Sequence, residues 1–260
     1  MNKLWIIIGG ATLVGVLVSV IFYLNRPGGS KNTPSSEKRT PLVIAVDPTY
    51  PPMENLDEKG EFVGFDIDLG KAIGRKLGRP VTFMKVLWDD LLPKVEKGEA
   101  DIGMSAITIT PERAKTVLFS IPYFNSGESI VVSRSNTAVL SPEQLKGKKI
   151  AAQKNTTSEN EALKITAKEN IFLYQGEYAE AVSNIERGSV DALIIDYPAG
   201  IYLARLNPKM KVIGRPITSE FYGIATRIGN DELMSRINAA IGDLKSSGEY
   251  AKIENTWLSQ

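Results

Sequence analysis

The pattern of hydrophobic and polar positions changes at residue 42. Before it the chain carries one long apolar run and then a polar stretch, whereas after it short apolar runs alternate with longer periodic segments. The short runs predict strands at residues 42–46, 81–86, 100–104, 130–132, 149–152, 172–174, 192–195, 212–214 and 222–226. Strands that alternate with helices are typical of α/β proteins, so we expect mostly parallel pairing.

Helical periodicity is clearest in residues 66–77 and 231–246, which each carry an apolar stripe at intervals of three and four positions. A capping box at Ser141, with Gln144 three positions later, predicts another helix start. Further helices are predicted at residues 89–97, 158–167, 178–187, 199–207 and 249–257.

The N-terminal run, residues 4–24, contains no charged side chain. A helix of that length, at about 1.5 Å per residue, would cross a hydrocarbon core of about 30 Å. No small-residue cleavage site stands beside it, so we predict an uncleaved transmembrane helix, with a cleaved signal as the alternative. Residues 25–41 lack apolar side chains and read as a linker.

The amino-acid composition excludes several kinds of catalysis and ligand binding. The chain has no cysteine and no histidine, which excludes disulfides, thiolate nucleophiles and imidazole catalysis or ligation. The formal net charge is +1, so nothing favours a nucleic-acid partner. No cofactor-binding motif is present.

The segment 105–113 (SAITITPER) is the strongest candidate for binding an anion. Thr110 can cap a helix whose first residue is Pro111, and a helix N-terminus presents unpaired amides. Arg113 would add a planar fork suited to a carboxylate, and Thr108 a hydroxyl and an amide. The alternative is a capped surface helix with a solvated arginine.

Other candidates follow predicted strands. The turn 153–158 opens a helix, and Asp196 closes a strand at the edge where α/β sheets bind ligands. Asp196 could hold an ammonium or could instead cap a helix. Tyr50 and Trp88 could present aromatic faces to a ligand or could simply be core residues, and Asp47 lies close to Tyr50 in sequence.

Taken in order, several blocks resemble the family 3 solute-binding proteins of bacterial ABC importers for polar amino acids. The blocks are residues 45–54 (AVDPTYPPME), 64–69 (GFDIDL), 100–103 (ADIG), 107–113 (ITITPER), 119–123 (FSIPY) and 190–192 (VDA). The resemblance spans residues 42–258. Two departures are Asn155, where many relatives have glycine, and Met53, where many have phenylalanine.

The resemblance implies a two-lobed α/β fold of the periplasmic-binding-protein type II class, with two hinge strands that let the lobes close on ligand. Residues 42–128 and 226–260 would form lobe one, and residues 129–225 lobe two. The crossings would lie near residues 127–130 and 222–225.

The resemblance also implies how a free amino acid would be held by its α-groups. Arg113 would pair with the α-carboxylate, with Thr108 and Thr157 as further donors. The carbonyl of Ala106 and the carboxylate of Asp196 would hold the α-ammonium.

The ligand side chain would lie between Tyr50 and Trp88, with Asp47 and Gln153 at its distal end and Ser105 as a weaker contact. An acid beside two aromatic rings favours a guanidinium or ammonium. We therefore expect arginine or another basic amino acid, and glutamine as the alternative.

The resemblance implies a binding protein rather than an enzyme. Its location would be extracytoplasmic, on a membrane anchor, and its partners ABC permease subunits. Two further alternatives are a cyclohexadienyl dehydratase-like enzyme and a sensory module, for which this sequence carries no second apolar span or signalling domain.

Overall fold

A computed structural model describes residues 40–259 of the chain. The predicted membrane span at residues 4–24, and the linker apart from Thr40 and Pro41, lie outside the described residues. Within 40–259, none of the helices combines the length and apolar character needed to cross a bilayer.

The first lobe is built on a five-stranded sheet. In spatial order its strands are β5 (Val81–Lys85), β1 (Leu42–Val46), β6 (Ile102–Gly103), β15 (Ala225–Arg227) and β7 (Val117–Phe119). The strand β1 runs parallel to β5 and β6, whereas β15 is antiparallel to both of its neighbours.

The second lobe repeats this plan. Its strands in spatial order are β11 (Ile171–Tyr174), β10 (Ile150–Gln153), β12 (Ala192–Asp196), β9 (Glu128–Ser133) and β13 (Met210–Ile213). The strand β10 is parallel to both neighbours, and β9 is antiparallel to both of its own. The expectation of mostly parallel pairing is therefore wrong, because β9 and β15, the strands that enter each sheet after the chain crosses from the other lobe, run antiparallel to both of their neighbours.

Seven helices lie among the described residues and cover the sheets. They are α1 (Phe65–Leu77), α2 (Trp88–Glu96), α3 (Thr157–Ile165), α4 (Ala179–Glu186), α5 (Tyr197–Leu206), α6 (Asp231–Ser246) and α7 (Glu249–Leu258). The apolar stripes of α1 and α6 pack together beside the first sheet, as their periodicity predicts.

Two short strand groups connect and flank the lobes. An antiparallel pair, β8 (Phe124–Ser126) and β14 (Glu220–Tyr222), lies where the chain passes between the two sheets. A small sheet of β2 (Thr49–Tyr50), β3 (Glu54–Leu56) and β4 (Phe62–Val63) follows β1. The predicted lobe boundaries at residues 128/129 and 225/226 remain a prediction.

Two local expectations are wrong. The segment after Thr110 forms only a 3-10 turn, Arg113–Lys115, because β7 begins two residues later and leaves no room for a helix. The predicted strand 222–226 is divided, because the chain changes partners from β8 to β6 and β7 around Gly223. A Cβ at residue 223 would crowd the side chain of Ile109.

Candidate functional site

A narrow cavity of about 30 Å³ lies between the lobes, beside the carboxyl ends of the parallel strands. All ten residues proposed from the sequence line it: Asp47, Tyr50, Trp88, Ser105, Ala106, Thr108, Arg113, Gln153, Thr157 and Asp196. Thr49, Glu54 and Thr156 also line the cavity, and sequence reasoning missed them. The structure brings the ten together, and their roles toward a ligand remain proposals.

Arg113 presents a cation with unused donor capacity. Its Nη1 donates to the carbonyl oxygen of Thr108 at 2.8 Å, and its Cζ lies 5.0 Å from the ring centroid of Trp88. Nowhere in the described chain does a carboxylate form an ion pair with it. Burial lowers the pKa of Arg113, against the opposing effect of Asp196. A half-buried guanidinium without a carboxylate partner is suited to receive one from a ligand.

The threonines on either side of the cleft differ in what they offer. The hydroxyl of Thr108 donates to Glu220 Oε2 at 2.9 Å, so the free donor of this residue is its amide, which has no partner within residues 40–259. Thr157 is the first residue of α3, and the preceding Thr156 caps that helix by accepting from Glu159 N. The N-terminus of α3, with its unpaired backbone amides, therefore lies at the cavity.

Asp196 is a buried acid already held in place by neutral donors. Its Oδ2 accepts the hydroxyl of Tyr50 at 2.6 Å, and its Oδ1 accepts Ser126 Oγ at 3.4 Å. It occupies the N-cap position of α5 without a side-chain capping bond, which disfavours the simple capping role. Burial raises the pKa of Asp196 to about 6, against the lowering effect of Tyr50.

Glu128 and Glu220 were missed by sequence reasoning. One oxygen from each lies within 4.8 Å of one on Asp196. Glu128 faces Asp196 directly across the β9–β12 ladder. Burial, followed by the nearby Asp196, raises the pKa of Glu128 well above its usual range. Acidic side chains therefore gather at this end of the site, and a cationic group placed there would favour their ionised forms.

The two aromatic residues have unequal positions. The ring of Tyr50 packs against apolar clusters of both lobes, while its hydroxyl reaches Asp196. Trp88 opens α2 and donates its Nε1 to the carbonyl oxygen of Asn155 at 3.0 Å, across the cleft. Both rings are thus part of the contact between the lobes.

The distal end of the cavity is polar and buried. Asp47 accepts a hydrogen bond from Thr49 Oγ1 at 3.0 Å, and its own amide donates to Ser105 Oγ at 3.1 Å. Burial raises the pKa of Asp47, although the bond from Thr49 opposes this. Gln153 is also buried here, and the side chain forms no hydrogen bond with any described residue. The carboxylate of Asp47 and the amide of Gln153 therefore offer a ligand side chain both hydrogen-bond acceptors and a donor.

A cluster of hydrogen bonds joins the lobes outside the cavity. Asp89 accepts from Asn155 Nδ2 at 2.8 Å and from Gln175 Nε2 at 3.1 Å, so an acid of the first lobe meets two amides of the second. Asn155 has a φ of 60°, a left-handed conformation that asparagine adopts more readily than most residues with a side chain. These contacts and the Tyr50–Asp196 bond join the two lobes, so the cleft between them is closed in this structure.

Known amino-acid-binding proteins are similar to this chain in both sequence and structure. An arginine-binding periplasmic protein from Mannheimia haemolytica is 32% identical over 221 residues, covering 83% of this chain and 90% of the relative. An ABC transporter glutamine-binding protein from Bacillus subtilis (strain 168) is 35% identical over 205 residues, covering 77% and 74%. The structure of an ancestral arginine-binding protein bound to arginine superposes with a TM-score of 0.79 at 39% identity, covering 85% of this chain and 100% of that chain.

The family model for bacterial extracellular solute-binding proteins, family 3, matches residues 42–260. That match covers the whole of both lobes and the cavity between them. This chain therefore belongs to the bacterial extracellular solute-binding proteins of family 3.

Proposed function

We propose that this protein is an extracytoplasmic receptor that captures a free basic amino acid, arginine foremost, and delivers it to an ABC permease. One observation carries the proposal: Arg113 from the first lobe and Asp196 from the second line one closed cavity without pairing with each other. A zwitterion supplies the carboxylate and the ammonium that these two groups lack. The periplasmic arginine-binding relative supports both the ligand class and the location.

The balance of charge favours a basic side chain over a neutral one. Besides Arg113 and Asp196, the cavity contains Asp47 at its distal end. The α-groups of any amino acid would match the first pair and leave Asp47 for the side chain. A guanidinium can both pair with Asp47 and lie against an aromatic ring. Glutamine is the second candidate, because an amide can donate to Asp47 and a relative is a glutamine-binding protein.

A ligand screen tests the proposal directly. We expect arginine to raise the melting temperature of the purified protein more than any other common amino acid, because a ligand that binds only the folded state stabilises it by mass action. Calorimetry should then give the stoichiometry. A shift with glutamine alone would select the second candidate, and tight binding restricted to acidic or aliphatic amino acids would contradict the proposal.

The contact at Asp89 should control ligand release. Replacing Asp89 with alanine removes two hydrogen bonds between the lobes, which are worth about 0.5–1.5 kcal/mol each. We expect the dissociation rate of arginine to rise about fivefold or more with little change in association, measured by stopped-flow fluorescence. Asp90→Ala is the matched control, since Asp90 is an exposed neighbour on α2 without a hydrogen bond across the cleft. Equal rates in both variants would show that this contact is incidental.

An enzymatic role and the mode of anchoring call for separate tests. Prephenate carries no ammonium for Asp196 to hold, so we expect no turnover of prephenate, and an assay with arogenate, which does carry one, tests the enzymatic alternative separately. We further propose that residues 4–24 anchor the receptor in the membrane. Retention in salt-washed membranes, together with an intact N-terminus by mass spectrometry, would support an uncleaved anchor, and a shortened soluble chain would indicate a cleaved signal.

A further inference from the structure

Two buried acids lie beneath the cavity, on elements of the first lobe. Glu54 in β3 and Asp66 in α1 are each 1% exposed. Glu54 Oε1 accepts Ser105 Oγ at 2.8 Å, and Asp66 Oδ2 accepts the amide of Ala106 at 2.8 Å. The hydroxyl of Tyr123 donates to the same Asp66 oxygen at 2.8 Å. Both acids therefore contact residues that line the cavity.

The other oxygen of each acid has no protein donor. Glu54 Oε2 and Asp66 Oδ1 are buried and receive no hydrogen bond from any residue in the described range 40–259. The two carboxyl groups interact directly with each other. Two ionised carboxylates in contact and away from water would be strongly unfavourable, whereas one proton between them forms a hydrogen bond. A single proton thus satisfies both orphaned oxygens.

The surroundings offer no other way to neutralise the pair. No lysine or arginine in the described chain forms an ion pair with either acid. The titratable groups that face them are Asp47, which is also acidic, and the phenols of Tyr123 and Tyr250. Burial, and then the charge of Asp66, raise the pKa of Glu54 well above its usual range. Burial, the neighbouring acid and the lack of a cationic partner together favour the singly protonated form of the pair.

We propose that Glu54 and Asp66 bind one proton together, and that this acid–carboxylate pair positions Ser105 and Ala106 at the ligand cavity. Ala106 has a φ of 48°, a left-handed conformation that costs free energy in a residue with a Cβ. The bond from its amide to Asp66 holds it there. The inference rests on the proposed function, because Ala106 is the residue whose carbonyl would meet the ligand ammonium.

The proton also sets the charge of the cavity. With Glu54 neutral, the ionised groups that line the cavity are Asp47, Arg113 and Asp196. Together with a zwitterion that carries one cationic side chain, these charges sum to zero. Ionisation of Glu54 would add a negative charge beside Asp47 and would place two carboxylates in contact. Binding and stability are therefore expected to fall as the pH rises through the pKa of the pair.

Infrared spectroscopy of the full chain tests the shared proton. We expect a carbonyl band of a protonated carboxyl group at about pH 7, and we expect Glu54→Gln to remove one such band. Asp66→Asn should remove one as well, because its amide would donate to an ionised Glu54. Asp68→Asn is the control, because Asp68 is a half-buried neighbour on α1 that bonds Lys71 and Trp257 instead, and it should leave the bands of protonated carboxyl groups unchanged. Spectra of both test variants that match the wild type would overturn the proposal.

Binding separates the positioning role from a purely structural one. Glu54→Ala removes the acceptor that holds Ser105, whereas the amide oxygen of Glu54→Gln keeps one, so we expect arginine affinity near neutral pH to fall further in Glu54→Ala than in Glu54→Gln. Where the affinity of the wild type falls at alkaline pH, that of Glu54→Gln should not. Equal losses of affinity in the two folded variants would overturn the positioning role. Failure of the wild type to bind arginine would refute the proposed function and leave the infrared result valid.

Discussion

Replacing Arg113 with alanine is expected to weaken arginine binding by roughly 30-fold or more. Truncating one partner of a buried, hydrogen-bonded charge pair costs about 2–5 kcal/mol, and each 1.4 kcal/mol is about tenfold in affinity. The guanidinium is held by the carbonyl of Thr108 and by the ring of Trp88, so its fork is oriented before ligand arrives. That preorganisation makes its loss costly for binding.

The same substitution should leave the ligand-free fold intact. Within residues 40–259 Arg113 has no carboxylate partner, so its removal leaves no buried acid unpaired. We expect the melting temperature without ligand to change little, while the shift on adding arginine disappears. Arg113→Lys should give an intermediate affinity, since a point charge replaces a two-pronged donor. Lys115→Ala is the control within the same turn, because this exposed lysine pairs only with Glu112. Unchanged affinity in Arg113→Ala would show that Arg113 does not bind the carboxylate of the ligand.

The elements that could be predicted from the sequence are those with a long periodic signal. The helix α6 has the predicted bounds, because sixteen residues carry one continuous apolar stripe. The small sheet of β2, β3 and β4 was missed, because strands of two or three residues have no measurable period. The turn at Arg113 was read as a helix from its cap and proline, signals that start a helix but do not set its length.

Some residues of the candidate site could be placed from the local sequence pattern, and others only from the tertiary structure. Asp196 and Gln153 end parallel strands, so their place at the sheet edge follows from the pattern. Glu128 lies inside an apolar strand, and only the β9–β12 register places it against Asp196. Glu54 and Asp66 belong to blocks that carried the family resemblance, yet their contact depends on how α1 packs against β3. Pairs of this kind have no sequence spacing from which they could be found.

Binding of arginine is expected to weaken below about pH 6, by close to tenfold per pH unit, in proportion to protonation of Asp196. Burial raises the pKa of Asp196 to about 6 in the ligand-free protein. A bound ammonium requires the ionised form, so proton and ligand compete, and binding near this pH should release a proton. Above pH 6 Asp196 is already ionised, so its contribution to the pH dependence of the affinity should end there. Calorimetry in buffers of different ionisation enthalpy measures the released proton.

Stability of the ligand-free protein should depend on pH in the opposite direction. A carboxyl group whose pKa is raised on folding stabilises the fold fully below its unfolded pKa, and this contribution is lost as the pH rises through the folded value. Asp196 and Asp66, each raised to about 6, should therefore make the empty protein more stable near pH 4 than near pH 7. Acid would thus stabilise the empty receptor while it weakens the complex.

Asp196→Asn separates these two effects. The amide can still accept the hydroxyl of Tyr50 but carries no charge, so arginine affinity at neutral pH should fall by roughly 30-fold or more. The remaining affinity should no longer follow a titration near pH 6. Ser126→Ala, which removes the weak 3.4 Å contact to Asp196 and a 3.0 Å bond to the hydroxyl of Tyr222 but no charged group, should keep that titration. If Asp196→Asn bound arginine as tightly as the wild type, the ammonium would have to lie elsewhere, because no other ionised acid at that end of the cavity lines its wall.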